Sequence, residues 1–293
     1  MYYLTILILA STSIHIKYCS GCIGGMMKEE NTAKYTLNLI GLGLETKDIS
    51  IRAMEAIRSS DIVYLEQYTT IISDDYVRYL REETGKEIFI VGRHELEEGS
   101  KSIIEASKSK TVSILVPGDP LVATTHCATI LDIATRLGVR YKVYHASSIF
   151  SAAIGSSGLD VYKFGQIVTI PYWYEKYKPV SFIDTLSKNL RNNEHTLLLL
   201  DINADEKRHM KLEEAFKILR DADLQKGTGI IHDDLKILVL GDVGMDTQEI
   251  AYVKVKDAYK IYASFAKRKI SLIIPSGLSF AEEESISKFK KGP

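Results

Sequence analysis

Residues 116–120, Val-Pro-Gly-Asp-Pro, hold a carboxylate between two prolines, directly after a glycine. The prolines stiffen the backbone and the glycine lets a ligand approach it closely. Asp119 can therefore present its carboxylate to a cation or a hydroxyl. An ordinary turn needs Pro-Gly or Gly-Asp but hardly all four residues, so the segment reads as a ligand loop outside the core. A second candidate is Gly41-Leu42-Gly43, with Glu66 about twenty residues further on. This is half of a dinucleotide fingerprint, glycines for a pyrophosphate and an acid for ribose hydroxyls. Thr46 stands where the third glycine belongs, and the following helix starts only after Lys47. A tight strand-exit turn beside an exposed acid explains the same residues equally well.

Other combinations have weaker chemistry. Thr124-Thr125-His126-Cys127 brings an imidazole next to a thiol, but adjacent helical residues point in different directions, which is wrong for chelation. A Cys-His nucleophile would need convergence in space, so His126 is expected to cap or pack near a helix start. His145 closes a strand beside a connection and could line a cleft; His195 is expected to be structural; His232-Asp233-Asp234 reads as a loop. Cys19 and Cys22 form a C-x-x-C, but the zinc reading needs a second ligand pair and the only other cysteine is Cys127.

These groups must be positioned by alternating elements. Apolar runs predict strands at 35–42, 61–66, 87–91, 111–116 and 140–145. Helices are expected at 48–60 with Asp48 as its cap, and at 74–84, 100–109 and 122–137. Strands joined by crossover helices form a largely parallel sheet covered on both faces. Residues 146–158 break the pattern, small and polar with Gly155 and Gly158, and read as a connection holding a short helix. Strands then follow at 166–170, 196–200, 237–240, 250–255 and 271–274, with helices at 180–191, 211–221, 257–265 and 279–289. No helix separates 237–240 from 250–255, so the second sheet is expected to be mixed. The fold class is thus α/β, with two α/β domains at 35–145 and 146–293 and a cleft between them. Residues 1–34 read as an extension, or the product of an upstream start codon, ahead of a core beginning near Tyr35.

Composition narrows the function. The 293 residues are 45% hydrophobic and 26% charged, close to average for globular chains. With 37 Lys+Arg against 38 Asp+Glu, no cationic excess is available to neutralise phosphates, which argues against a nucleic-acid partner. Three cysteines do not make a disulfide framework and fit a reducing cytoplasm. No apolar run of about 18 residues is present, so no membrane association is expected.

The segments IGLGL (40–44), DI (48–49), PGDPLVATTH (117–126), HASSIFSA (145–152), YKFG (162–165) and HTLLLLDI (195–202) resemble the diphthine synthase family, in order and at matching distances. That family lies within the tetrapyrrole-methylase-like class of S-adenosylmethionine (SAM) methyltransferases, and the resemblance runs from about Tyr35 to Phe280. It implies a cytoplasmic homodimer that binds SAM between its domains. The methyl acceptor it implies is the amine of the 3-carboxy-3-aminopropyl-histidine of translation elongation factor 2, giving diphthine. Archaeal members make the trimethylated product and eukaryotic ones also methylate the carboxylate; this chain's size favours the former. No metal and no obligatory acid-base residue is implied. By position, the family's SAM contacts fall on Leu44, Asp119, Val122, Ser148, Ile149, Leu200, Gly241 and Ile270. Two of these depart from the family pattern: Gly241 replaces an alanine and Ile270 a histidine. The competing readings are a corrinoid or porphyrin methylase of the same class, and a non-catalytic nucleotide-binding domain built on Gly41, Gly43 and Glu66.

Overall fold

The structure is a computed structural model that describes residues 35–67, 70–203, 206 and 208–290. The expected extension at 1–34, with Cys19 and Cys22, lies outside the described residues.

The first half builds five parallel strands: β1 (Leu37–Gly41), β2 (Ile62–Glu66), β3 (Ile88–Val91), β4 (Val112–Val116) and β5 (Tyr141–Tyr144), in the order β3-β2-β4-β1-β5. Side chains alternate across a strand, so β1 sends Leu37 and Leu39 into one apolar cluster and Ile40 into the other. Helices α1 (Ile51–Arg58) and α2 (Asp74–Thr84) cover the face of Ile40; α3 (Arg93–Glu97), α4 (Ser100–Ala106) and α5 (His126–Arg136) cover the opposite face. Burial on both faces is what makes β1 and β4 read as nearly unbroken apolar runs.

Two helix starts differ from the sequence reading. The cap of α1 is Ser50, whose side chain accepts from the Ala53 N–H, and not Asp48. Helix α5 begins at His126, four residues late, because Ala123 adopts a left-handed φ of 61° and interrupts any helix across 122–125. Short helix α3 was not anticipated.

The chain crosses to the second sheet at 145–148. Helix α6 (Ile149–Ser157) packs Ala153 against that sheet. Strands β6 (Val168–Ile170) and β7 (Thr196–Leu200) flank α7 (Ser181–Arg191). A two-stranded ribbon follows, β8 (Ile202–Asn203) and β9 (Arg208–His209), too short to leave an alternation signal in the sequence. Helix α8 (Leu212–Lys226) continues past the expected end at 221, since Ala222 and Asp223 are still buried. Strands β10 (Lys236–Gly241) and β11 (Glu249–Lys254), a 3₁₀ turn at Val255–Ile261, α9 (Tyr262–Phe265), β12 (Ile270–Ile274) and α10 (Phe280–Ser287) complete the described chain. The order is β11-β10-β12-β7-β6, antiparallel except for the β6–β7 pair, which makes this sheet mixed. No helix among the described residues is long and apolar enough to cross a membrane.

Candidate functional site

The loops leaving β1 and β4 are tied together. The Gly43 N–H donates to the Gly118 carbonyl at 3.2 Å, and the Gly118 N–H donates back at 2.8 Å. Both residues have left-handed φ, 74° and 71°, a conformation that glycine adopts without a steric penalty. Asp48, expected as a helix cap, instead holds the first loop: its Oδ2 accepts from the N–H groups of Leu44 (2.9 Å) and Glu45 (3.3 Å) and from the Ser147 hydroxyl (2.7 Å).

Asp119 departs from the expected role of an open ligand carboxylate. It is only 4% exposed. Its Oδ1 accepts from the Leu121 N–H (2.9 Å); its Oδ2 accepts from the Ala146 N–H (3.1 Å) and lies 2.8 Å from His145 Nδ1. The carboxylate therefore fastens the β4 loop to the crossing segment and shapes the wall there.

These loops form one side of a cavity of about 670 Å³. The other side is the end of the second sheet where β6, β7 and β10 finish and β12 starts, contributing Thr169, Leu200, Asp201, Asp242, Lys269 and Ile270. The start of α6 contributes Ser148 and Ile149, and Ser148 caps that helix by accepting from the Phe150 N–H. Ligands gather at such strand ends in α/β folds, and the volume lies within the usual range for small-molecule sites.

Of the eight positions named from the sequence, Leu44, Asp119, Val122, Ser148, Ile149, Leu200 and Ile270 line this one cavity. Gly241 does not; a Cβ there would meet Arg268 Cδ at 2.5 Å and the Phe265 ring at 3.0 Å, and its neighbour Asp242 supplies the wall. Gly241 and Ile270, the two departures from the family pattern, face each other in the β10–β12 ladder.

Several candidates fall away. Glu66 is fully buried and does not line the cavity, so it cannot meet a ribose there. His145 does not line it either, being engaged with Asp119. His126 and Cys127 are buried off the cavity, with Nε2 and Sγ 3.2 Å apart. Burial pushes the Cys127 thiol up to about 12 and the His126 imidazole down. A thiol protonated at neutral pH is neither nucleophile nor metal ligand. Asp233 pairs with Arg220, and Asp234 with Lys254 and Lys256, on the surface. Among the described residues no three His, Cys, Asp or Glu side chains converge as a metal site.

Sequence reasoning missed Tyr76, Arg93, His209, Met210, Asp242 and Lys269, which also line the cavity. They come from separate elements, and only the fold brings them together. The Tyr76 hydroxyl donates to the Leu42 carbonyl (3.4 Å), and burial holds its phenol well above the usual range.

Known proteins are similar to this chain in sequence and fold. The sequence pattern of the tetrapyrrole (corrin/porphyrin) methylases matches residues 36–259. Diphthine synthase of Methanothermobacter thermautotrophicus is 36% identical over 258 residues, covering 88% of this chain and 96% of that one. The chain belongs to the diphthine synthase family. A human relative, diphthine methyl ester synthase, is 35% identical over 235 residues, 73% of this chain and 81% of that one. A crystal structure of a diphthine synthase superposes with a TM-score of 0.77 at 32% identity, covering 88% of this chain and 97% of that one. Motif residues that lie off the cavity are structural: Lys163 of YKFG reaches Glu282 on α10, and His195, at the start of HTLLLLDI, bonds to the same carboxylate.

Proposed function

We propose that this methyltransferase uses SAM to methylate the amine of the 3-carboxy-3-aminopropyl-histidine of elongation factor 2, in the cytoplasm, giving diphthine. The observation that carries this is the cavity at the strand ends of both sheets, lined by seven of the eight positions that the family resemblance names for SAM, in a chain whose relatives are named diphthine synthase. The residues suit the cofactor. Leu44, Val122, Ile149, Leu200 and Ile270 offer apolar walls, and the paired glycine loops and the capped start of α6 offer backbone groups close to the ligand. A cofactor contact made at Ile270 by backbone atoms would survive the change from histidine.

When bound, SAM would supply an activated methyl group to the neutral acceptor amine, with Leu44, Val122, Ile149, Leu200 and Ile270 holding the cofactor. The protein's task is therefore positioning. The clamp between Gly43 and Gly118 and the Asp119 ties fix the cofactor wall, and the apolar residues exclude water, which disfavours the ammonium form of the acceptor. Alignment of this kind supplies much of the acceleration in such transfers. Residues 35–145 and 146–293 act as two domains that meet at this site.

Incubation with SAM and an elongation factor 2 carrying the aminocarboxypropyl histidine should add methyl groups, seen by intact mass, and should do so equally in EDTA. Absence of any mass gain rejects the substrate; loss in EDTA restored by zinc or magnesium rejects the metal-free mechanism. The protein is further expected to be a homodimer, supported by the exposed rings of Tyr174 and Tyr177 in the aromatic segment at 171–177. Sedimentation showing a monomer at micromolar concentration would count against it.

A further inference from the structure

The charged groups around the cavity are not equally engaged. Asp119 is held by His145 and two backbone N–H groups. Asp201 accepts from the N–H groups of Tyr172 and Ile202. Asp242 is held by Arg268, the Thr247 hydroxyl and the Lys269 N–H. The Lys269 ammonium, by contrast, has no hydrogen-bond or ion-pair partner among the described residues, and neither has the imidazole of His209 on β9. Both line the cavity at the second-sheet end. On the opposite wall Glu45 keeps an uncommitted carboxylate. Free bases at one end and a free acid at the other suit a group that is itself a zwitterion.

Walls of protein around the two bases make their charged forms costly: burial lowers the pKa of Lys269 against the pull of Asp242, and lowers that of His209, which the neighbouring ammonium lowers further. An anionic ligand group would relieve both effects.

Resting on the function proposed above, two carboxylates are in question, because SAM and the acceptor arm both end in the same 3-amino-3-carboxypropyl group. Although the protein around it lowers its pKa, Lys269 retains surface open to solvent, whereas Asp119 and Ser148, among the positions named for SAM, are buried. A side chain offered by a folded protein enters from solvent and meets the exposed group first. We propose that Lys269, with His209 beside it, receives the carboxylate of the acceptor arm. Held in that ion pair, the carboxylate is a poorer nucleophile and the amine is left to face the methyl group. Lys269 is thus a positioning residue that selects nitrogen over oxygen.

The test uses Lys269→Gln and Lys269→Arg in the full chain, with SAM affinity from calorimetry and methyl transfer to the modified elongation factor. For Lys269→Gln the acceptor KM should rise tenfold or more, with kcat and SAM affinity within about twofold of wild type, and a fraction of the transferred methyl should become alkali-labile ester. Lys269→Arg should recover most of the KM. A tenfold loss of SAM affinity with an unmoved acceptor KM overturns the assignment in favour of the cofactor's carboxylate; no change in either overturns it outright. A wild-type protein that binds SAM but methylates no elongation factor overturns the proposed function, and the assignment with it.

Discussion

Asp119→Ala is expected to lower SAM affinity at least tenfold and, at the same time, to destabilise the fold by about 2–4 kcal/mol. Both effects have one cause. The carboxylate is 4% exposed and satisfies the backbone N–H groups of Leu121 and Ala146. Truncation leaves those part-buried donors without their acceptor, and each unmade bond costs part of the donor's desolvation. It also frees the β4 loop from the crossing segment, so Val122 on one side and Ser148 and Ile149 on the other lose their fixed spacing across the cavity. Asp119→Asn keeps one carbonyl oxygen but turns an amide toward donors, so it should fall between wild type and alanine in both measures. Calorimetric titration with SAM and denaturant melts separate the two readouts. An alanine variant with wild-type affinity would remove Asp119 from the site; one with wild-type stability would remove the structural role given to its hydrogen bonds.

The buried position of Asp119 also marks the limit of what the sequence reveals. Local pattern located the loop, because proline and glycine act on the backbone directly, and it placed α2 and β7 at the residues where they occur. It could not say where a carboxylate points. Asp48 and Ser50 are both good capping types; Ser50 caps α1, while Asp48 is engaged by the N–H groups of Leu44 and Glu45 and by the hydroxyl of Ser147, almost a hundred residues away. The late start of α5 depends on one left-handed alanine, a residue whose type favours helix and gives no warning. Glu66 had suitable spacing for a ribose contact, yet its strand is paired on both sides and its side chain lies in the interior. Lys269 and His209 left no signal at all, since a free ammonium and a free imidazole are recognisable only when the neighbours that might have engaged them are known.

Glu282→Ala should be the most destabilising of the changes considered, on the order of 3–5 kcal/mol, because it breaks a buried ion-bonded knot. Glu282 Oε1 accepts from His195 Nε2 (2.7 Å) and the Asp160 N–H (3.1 Å); Oε2 accepts from the Ser279 N–H (2.8 Å) and Lys163 Nζ (3.2 Å). His195 is fully buried, and its Nδ1 accepts from the Ser276 N–H at 2.9 Å. That donor fixes the tautomer: the imidazole is neutral, with its proton on Nε2 facing Glu282. The knot joins the 160–165 segment, the start of β7 and the cap of α10, three pieces that border the second sheet. For a chain of this size the loss corresponds to a melting temperature lower by roughly 10 °C. The pH dependence follows from the same groups. Burial would raise the Glu282 pKa, but hydrogen bonds from the Ser279 backbone, His195 and the Asp160 backbone outweigh it and hold the carboxyl well below the usual range. Its contribution is therefore complete above about pH 5.5 and declines as pH falls through the ordinary glutamate range toward the lower folded value. His195 acts with the same sign in a higher pH window. Burial lowers its pKa despite the Glu282 bond, so below about pH 6.5 the unfolded chain takes up a proton that the folded chain refuses. Stability should then fall on acidification from pH 6.5 toward 5, by up to about 1.4 kcal/mol per pH unit for this group. Urea melts of wild type and His195→Gln across that interval test the sign: the variant curve should be flatter, and an equally steep one would place the proton uptake on another residue.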